Sequence, residues 1–238
     1  MKAMIFAAGI GSRLKELTRD TPKCLMQVGN KTVLEHVVDR LKDAGVSAVA
    51  INVHHHAEKV TQFLRDRNYL GLEMFVSHES TLLDTGGGLK KVAPFFSGEE
   101  AFIIHNADIF SDVNLHDLVA RHRGRKAVAT LAVMDRRSPR GLYFDSTHHL
   151  VGWSGQQAPP PSSTLLNFCG ISVASHELFS HMGDDDVFSI ITTFLAAART
   201  TTRVWGELVQ SAEWTDIGTP EQLAALRRRL AGHTASEE

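Results

Sequence analysis

Cysteine is nearly missing from this chain, since only Cys24 and Cys169 occur in 238 residues. Two thiols so far apart, without metal-ligand spacing, exclude a disulfide scaffold and a cysteine-rich zinc module. They read as free thiols in a reducing compartment. An excess of either charge is missing too. The 25 basic and 27 acidic residues leave a formal net charge of −2, so nothing calls for a nucleic acid or a membrane as partner. No apolar run approaches the roughly 20 residues needed to cross a bilayer. Met1-Lys2-Ala3 leads straight into a strand pattern, with no room for a secretory leader, and a cytoplasmic protein is expected. There is no internal repeat. Histidine is plentiful, with 13 residues, but the run His54-His55-His56 lacks the i, i+4 spacing and intervening Glu of a zinc helix.

What is present is ordinary for a soluble globular domain: 43% hydrophobic and 22% charged residues. The length suits one large α/β domain or two small ones. Apolar strand-like runs alternate with amphipathic stretches, which predicts an α/β layer fold. Strands are expected near 2–7, 46–53, 72–77, 101–105 and 127–133. Helices are expected near 33–44, 55–66, 87–92 and 115–123. Thr32-Val33-Leu34-Glu35 reads as a capping box, and Gly45 as the stop of the helix it opens. After Asp135 the pattern changes. A basic loop, Arg136-Arg137-Ser138-Pro139-Arg140-Gly141, is followed by short strands near 142–144 and 150–153 that suit antiparallel pairing. A strand near 165–173, helices near 176–182 and 187–198, and strands near 201–205 and 211–216 follow. Thr219-Pro220-Glu221-Gln222 caps the last helix. One domain over 1–230 is expected, with a first half to about 135, a second half from 136, and a flexible tail from 231.

Four motifs carry chemistry. The strand at 4–8 runs into Gly9-Ile10-Gly11-Ser12-Arg13-Leu14. A dinucleotide fingerprint needs a third glycine where Leu14 stands, and a P-loop needs a Gly-Lys-Ser/Thr ending; both fail. A bare turn would explain the glycines alone. Arg13 and Lys23 change that reading. Glycine-rich backbone can meet phosphates through its amides, a guanidinium adds paired contacts, and an amine adds a point charge. Asp84-Thr85-Gly86-Gly87-Gly88 marks a crowded packing point or a place where a flat base touches backbone. Asn106-Ala107-Asp108 ends a strand where open α/β sheets bind ligands. Asp108 either caps its loop or offers oxygen to Mg²⁺. Trp214-Thr215-Asp216 ends another strand. Asp216 either serves the helix that follows or joins Asp108 at a metal-bridged triphosphate.

Taken together, Ala7-Ala8-Gly9-Ile10-Gly11-Ser12-Arg13-Leu14 with Pro22-Lys23, Asn106-Ala107-Asp108 and Trp214 to Pro220 resemble the sugar-1-phosphate nucleotidyltransferase family. The resemblance spans Met4 to about Leu230. Asp84 to Gly88 is most similar to the compact uridylyltransferases that act on N-acetylmuramate 1-phosphate in cell-wall recycling. The resemblance implies a three-layer, Rossmann-like mixed sheet flanked by helices, with a small sugar-binding lobe. It implies that Arg13 and Lys23 are catalytic. Ala7, Ala8, Gly9, Gly11, Ser12, Asp84, Thr85, Gly86 and Gly87 would bind the nucleotide. Asn106, Arg140, Gly141, Asn167 and Gly170 would meet the sugar phosphate, and Asp108 and Asp216 would hold Mg²⁺. Many relatives grip the sugar phosphate with a lysine. None follows Lys126 here, which leaves that role to an arginine such as Arg140. The partners implied are a nucleoside triphosphate and a sugar 1-phosphate, handled by a monomer or homodimer. UTP leads, with GTP and a heptose or hexose phosphate as the alternative. A nucleotide-binding regulatory domain remains a second alternative. A nicotinamide oxidoreductase is disfavoured by Leu14 and Pro22.

Overall fold

Runs rich in Val, Ile and Phe suit a pleated, buried surface, and they form the strands. The computed structural model describes residues 1–136, 138, 140–156 and 158–234. Its strands in chain order are β1 Lys2–Phe6, β2 Gln27–Val28, β3 Lys31–Thr32, β4 Ala48–Val53, β5 Glu73–His78, β6 Phe102–Asn106, β7 Ile109–Ser111, β8 Ala129–Met134, β9 Leu142–Phe144, β10 Leu150–Trp153, β11 Thr164–Ala174, β12 Val204–Leu208 and β13 Trp214–Asp216. The helices are α1 Val33–Asp43, α2 Ala57–Asp66, α3 Asp84–Lys91, α4 Leu115–Gly124, α5 Ile190–Thr200 and α6 Pro220–Thr234.

Local sequence sets several boundaries. Thr32 Oγ1 accepts from Glu35 N at 3.2 Å, and Glu35 accepts from Thr32 N at 2.7 Å. This is the reciprocal box expected for α1, and Gly45 leaves the helix with φ +78°. At α6 only half of the box forms. Thr219 Oγ1 accepts from Gln222 N at 3.3 Å, while Gln222 Oε1 is buried without a hydrogen bond among the described residues. That helix runs on to Thr234, past the point where the tail was expected; 235–238 lie outside the described residues, as do Arg137 and Pro139 of the basic loop. The segment His176–His181 is a 3-10 turn, and α5 begins three residues later than its pattern suggested, after the Ser189 cap.

Among the described residues, nine strands share one sheet in the order β10-β9-β11-β6-β1-β4-β5, with β8 on β11 and β12 on β8. β6, β1, β4 and β5 are parallel, and β11 is antiparallel to β6. β8 is antiparallel to β11, so it points the same way as β6. The loops after β1, β4, β5, β6 and β8 therefore gather along one edge, the edge at which open sheets bind ligands.

Side chains alternate across each strand, which splits the core in two. Ala3, Ile5, Val49, Ile51 and Ile103 face α1, α2 and α4. Met4, Ala50, Phe102 and Ile104 face α3 and α5. This gives the expected three layers. A third, smaller cluster joins Met26, Val28 and Val33 to Ile217, Leu223 and Leu226. It ties the β2–β3 ribbon to α6, two segments almost 200 positions apart in sequence.

The glycine run corrects an expectation. α3 starts at Asp84, so Gly86, Gly87 and Gly88 lie inside it and are buried. Their close neighbours are parts of the chain itself. A Cβ on Gly86 would stand 2.3 Å from the Phe188 ring, one on Gly87 2.0 Å from Asp186 O, and one on Gly88 2.6 Å from Asn52 Nδ2. The amides of Gly86 and Gly87 both donate to Phe188 O, at 2.8 and 3.2 Å. The missing side chains of Gly86 and Gly87 make room for the strap at 184–189.

Two predictions follow from this packing. Gly87→Ala should lose about 1–3 kcal/mol through overpacking, while Gly124→Ala, with nothing within 4 Å of its Cβ, should be neutral or slightly stabilising. Urea midpoints at constant m-value read the contrast. Burial lowers both His105 and His122 to about 4. The unfolded chain, with histidines near 6.5, takes up protons first. Stability is therefore complete above about pH 6.5 and falls toward pH 4, by up to about 3 kcal/mol per histidine. His122→Gln should flatten that slope in denaturation measured across this window.

Candidate active site

The loop after β1 owes its shape to polar groups buried beneath it. Ala7 N donates to Asn52 Oδ1 at 2.9 Å, Asn52 Nδ2 donates to Glu79 Oε1 at 2.7 Å, and Leu83 N donates to Glu79 Oε2 at 3.0 Å. The loops after β1 and β5 are thereby pinned to the end of β4, and the side-chain oxygens of Asn52 and Glu79 are paired. Gly11 has φ +69°, which a side chain would resist, and a Cβ there would meet the Thr18 methyl at 2.8 Å. Its carbonyl accepts from Leu14 N at 2.9 Å and from Thr18 Oγ1 at 3.2 Å. Gly9 has open space where a Cβ would be. It is the bare backbone of the loop, and it borders a cleft of about 160 Å³ with Ala7, Lys23, Thr85, Asn106 and Asp108.

Four charged side chains meet beside that cleft. Asp108 follows β6. β13 pairs antiparallel with β7, with Asp216 opposite Ile109, and Ile217 N donates to Asp108 O at 3.1 Å. The two acids thus stand side by side. Lys23, on the 3-10 turn Lys23–Leu25, hydrogen-bonds Asp108 Oδ2 and lies 3.7 Å from Asp216 Oδ1. Its side chain is only 11% exposed. Arg13, far more exposed, approaches Asp216 Oδ2 at 3.9 Å. Asp216 Oδ1 is buried and makes no hydrogen bond among the described residues. Such an oxygen suits a cation. The donor set is hard carboxylate oxygen, which fits Mg²⁺. Among the described residues no group of three or more His, Cys, Asp or Glu could hold a metal, so other ligands would have to come from a substrate.

The remaining expected residues fall into two groups. Ser12 is exposed and opens the 3-10 turn Ser12–Thr18. Asp84, exposed with φ +59°, accepts from Thr85 N at 2.6 Å. Thr85 borders the cleft, but its hydroxyl accepts from Ile190 N at 2.9 Å and so ties α3 to α5. Ala8 is buried. Asn106 lines the cleft and packs against Gly170, whose φ of +75° and contact at 2.8 Å leave no room for a side chain. Gly141 is buried, with Leu166 O 2.6 Å from its Cβ position. Asn167 was expected to face the sugar. It is buried, accepting from Arg136 N at 3.1 Å and donating to Arg140 O, so it holds the basic loop. Arg140 itself is exposed.

Several residues went unnoticed in the sequence. Asn52 is the one polar residue in Ala48–Val53, and Glu79 follows directly on β5; a polar break at a strand end is their only local signal. Arg136 lies in the basic loop at the end of β8. Its guanidinium stacks 3.8 Å over the Trp214 ring and donates to Phe168 O at 3.2 Å, while Trp214 Nε1 donates to Cys169 O at 2.8 Å. The histidine run serves the same edge. His54 Nδ1 donates to Glu79 O at 2.8 Å and His56 Nε2 to Thr18 O at 3.3 Å. Burial pushes the thiols of Cys24 and Cys169 up to about 12, which keeps them neutral and removes them as nucleophiles.

A glycine-bearing loop, converging cations and paired acids at a sheet edge describe a protein that handles phosphates. Residues 2–142 match the nucleotidyl transferase family, and the chain belongs to it. It is 29% identical, over 96% of both chains, to the N-acetylmuramate alpha-1-phosphate uridylyltransferase of Caulobacter vibrioides. It is 34% identical to the mannose-1-phosphate guanylyltransferase catalytic subunit beta of Drosophila pseudoobscura pseudoobscura, over 58% of this chain and 38% of that one. The crystal structure of HddC from Yersinia pseudotuberculosis complexed with GMP-PN superposes with a TM-score of 0.78 over 96% of this chain and 99% of that one, at 20% identity. That likeness is one of fold.

Proposed function

We propose that this chain joins a sugar 1-phosphate to a nucleoside triphosphate, UTP before others, yielding a nucleotide sugar and pyrophosphate. The observation that carries the proposal is the meeting of Lys23, Asp108 and Asp216 beside the bare backbone of Gly9. The near full-length similarity to a uridylyltransferase supports UTP and makes N-acetylmuramate 1-phosphate the first sugar to test. The guanylyltransferase relative and the GMP-PN bound to HddC favour GTP as the second reading. Among the described residues no helix is long and apolar enough to cross a membrane. We place the reaction in the cytoplasm, with the protein acting as monomer or homodimer.

The chemistry asks little of acids and bases. A phosphate monoester has its second pKa near about 6, so the attacking oxygen is already an anion at neutral pH. That oxygen bonds to the α-phosphorus in line, and the bond to the pyrophosphate oxygen breaks. The difficulty is repulsion between anions and the charge that builds on the leaving group, so positioning and electrostatics supply the acceleration. Lys23 faces the α-phosphate and Arg13 the departing pyrophosphate. Asp108 and Asp216 would hold Mg²⁺, whose chemistry there is to screen the charge between the reacting phosphates. On the sugar side, Trp214 and Asp216 share one face of β13 because they are two residues apart. The Arg136 guanidinium stacks on Trp214, two residues from Asp216, and is our candidate to take the sugar phosphate, since no lysine follows Lys126.

Pyrophosphate release measured with UTP, GTP, CTP, dTTP and ATP against a panel of sugar 1-phosphates tests the assignment; no release with any pair would sink it. Asp108→Asn should lower turnover by about 10²-fold or more with the melting temperature retained. Arg136→Gln should raise KM for the sugar phosphate about tenfold, the cost of one charge-assisted hydrogen bond, and leave KM for the triphosphate unchanged. An equal rise in both constants would make Arg136 a structural tether of its loop.

A further inference from the structure

We infer that Lys23 is the resident counter-ion of Asp108 and Asp216, and that a divalent ion displaces it only together with a triphosphate. This rests on the nucleotidyl-transfer reading, because it concerns the same two acids.

The ammonium of Lys23 touches Asp108 Oδ2 and lies 3.7 Å from Asp216 Oδ1. With 11% of its side chain exposed, it is enclosed between the acids rather than sweeping through solvent. Arg13 adds a second positive charge 3.9 Å from the other oxygen of Asp216. Two cations and two carboxylates sum to zero. A bare divalent ion entering this cluster would meet no net attraction and would lie beside the ammonium, a like charge in a partly desolvated place.

The ligand supply points the same way. The protein offers two carboxylates, and among the described residues no third acid, histidine or cysteine completes a cage. Mg²⁺ sheds its waters reluctantly and is commonly held by one or two carboxylates plus substrate phosphates. A triphosphate brings the missing oxygens. It also brings a new seat for Lys23, whose four-carbon stem lets the ammonium swing from carboxylate to phosphate. Asp216 Oδ1, buried without a hydrogen bond, is the oxygen left waiting for that exchange. Lys23 then has two tasks at separate moments. It neutralises the acids while the cleft is empty, and it faces the α-phosphate once the nucleotide is seated.

Manganese titrations followed by electron paramagnetic resonance read the exchange without turnover. Without nucleotide, wild type should bind Mn²⁺ weakly. Lys23→Met should tighten that binding about tenfold to a thousandfold, the range over which one neighbouring charge moves a carboxylate's proton affinity. Lys23→Arg keeps the charge and should stay weak. Equal Mn²⁺ affinity in wild type and a folded Lys23→Met overturns the inference. Wild type alone gives a second reading should the variants fail to fold. Its complex with a non-hydrolysable UTP or GTP analogue should bind Mn²⁺ at least about tenfold more tightly than the free protein, since the phosphates both add ligands and remove the ammonium. An analogue that binds by calorimetry yet leaves Mn²⁺ affinity unchanged overturns the exchange and leaves the transfer reading standing. No binding of either analogue, with or without Mn²⁺, overturns both.

Discussion

Two carboxylates cannot both stay ionised side by side, partly buried, unless a cation stands between them. In this chain the cation is Lys23, and the molecule is arranged so that the three groups meet. β6 carries Asp108 to the sheet edge. The β7–β13 ribbon folds Asp216 back beside it. The cluster of Met26, Val28 and Val33 with Ile217, Leu223 and Leu226 holds the Lys23 turn against the segment that follows Asp216. Helix α6 contributes no reacting group, yet its apolar face fixes the distance between a residue near the start of the chain and one near its end.

Rigidity at this edge comes from polar groups as much as from apolar ones. Asn52 and Glu79 sit under the loops and satisfy amides that would otherwise be stranded. A buried polar network of this kind specifies one arrangement, because any shift leaves a donor unpaired. The strap at 184–189 does similar work on the far side of the cleft, where Lys90 holds the carbonyls of Gly183, Asp184 and Asp185. What is left open is small and selective: the backbone of Gly9, the flank of Thr85, Asn106, and the charged cluster. That suits a reaction in which the protein places phosphates and balances charge without donating a proton.

Much of this was legible in order along the chain. The box at Thr32 and Glu35, the stop at Gly45 and the alternation of strands and helices depend on neighbours a few residues away, so pattern alone reveals them. Arg13, Lys23, Asp108 and Asp216 were legible as candidates, since they stand in a glycine-bearing loop or at strand ends, and the structure brings them together. Other surroundings were not legible, for one shared reason. Gly86 and Gly87 looked like ligand glycines, but Phe188 and Asp186 fill the space above them. Asn167 looked like a sugar contact, but it is spent on the backbone of the basic loop. The stacking of Arg136 on Trp214 joins positions 78 apart. Each depends on a partner remote in sequence, which no local pattern contains.

The sequence by itself determined the elements, their caps, their buried faces and the kinds of charge available, because these follow from periodicity and side-chain chemistry within a turn or a strand. Tertiary structure alone decided which glycines touch remote parts of the chain and which stay bare, that Arg136 stacks on Trp214, and that one lysine answers two aspartates at once. Those facts are distances between residues far apart along the chain, and such distances come into being only when the sheet and its three clusters pack together.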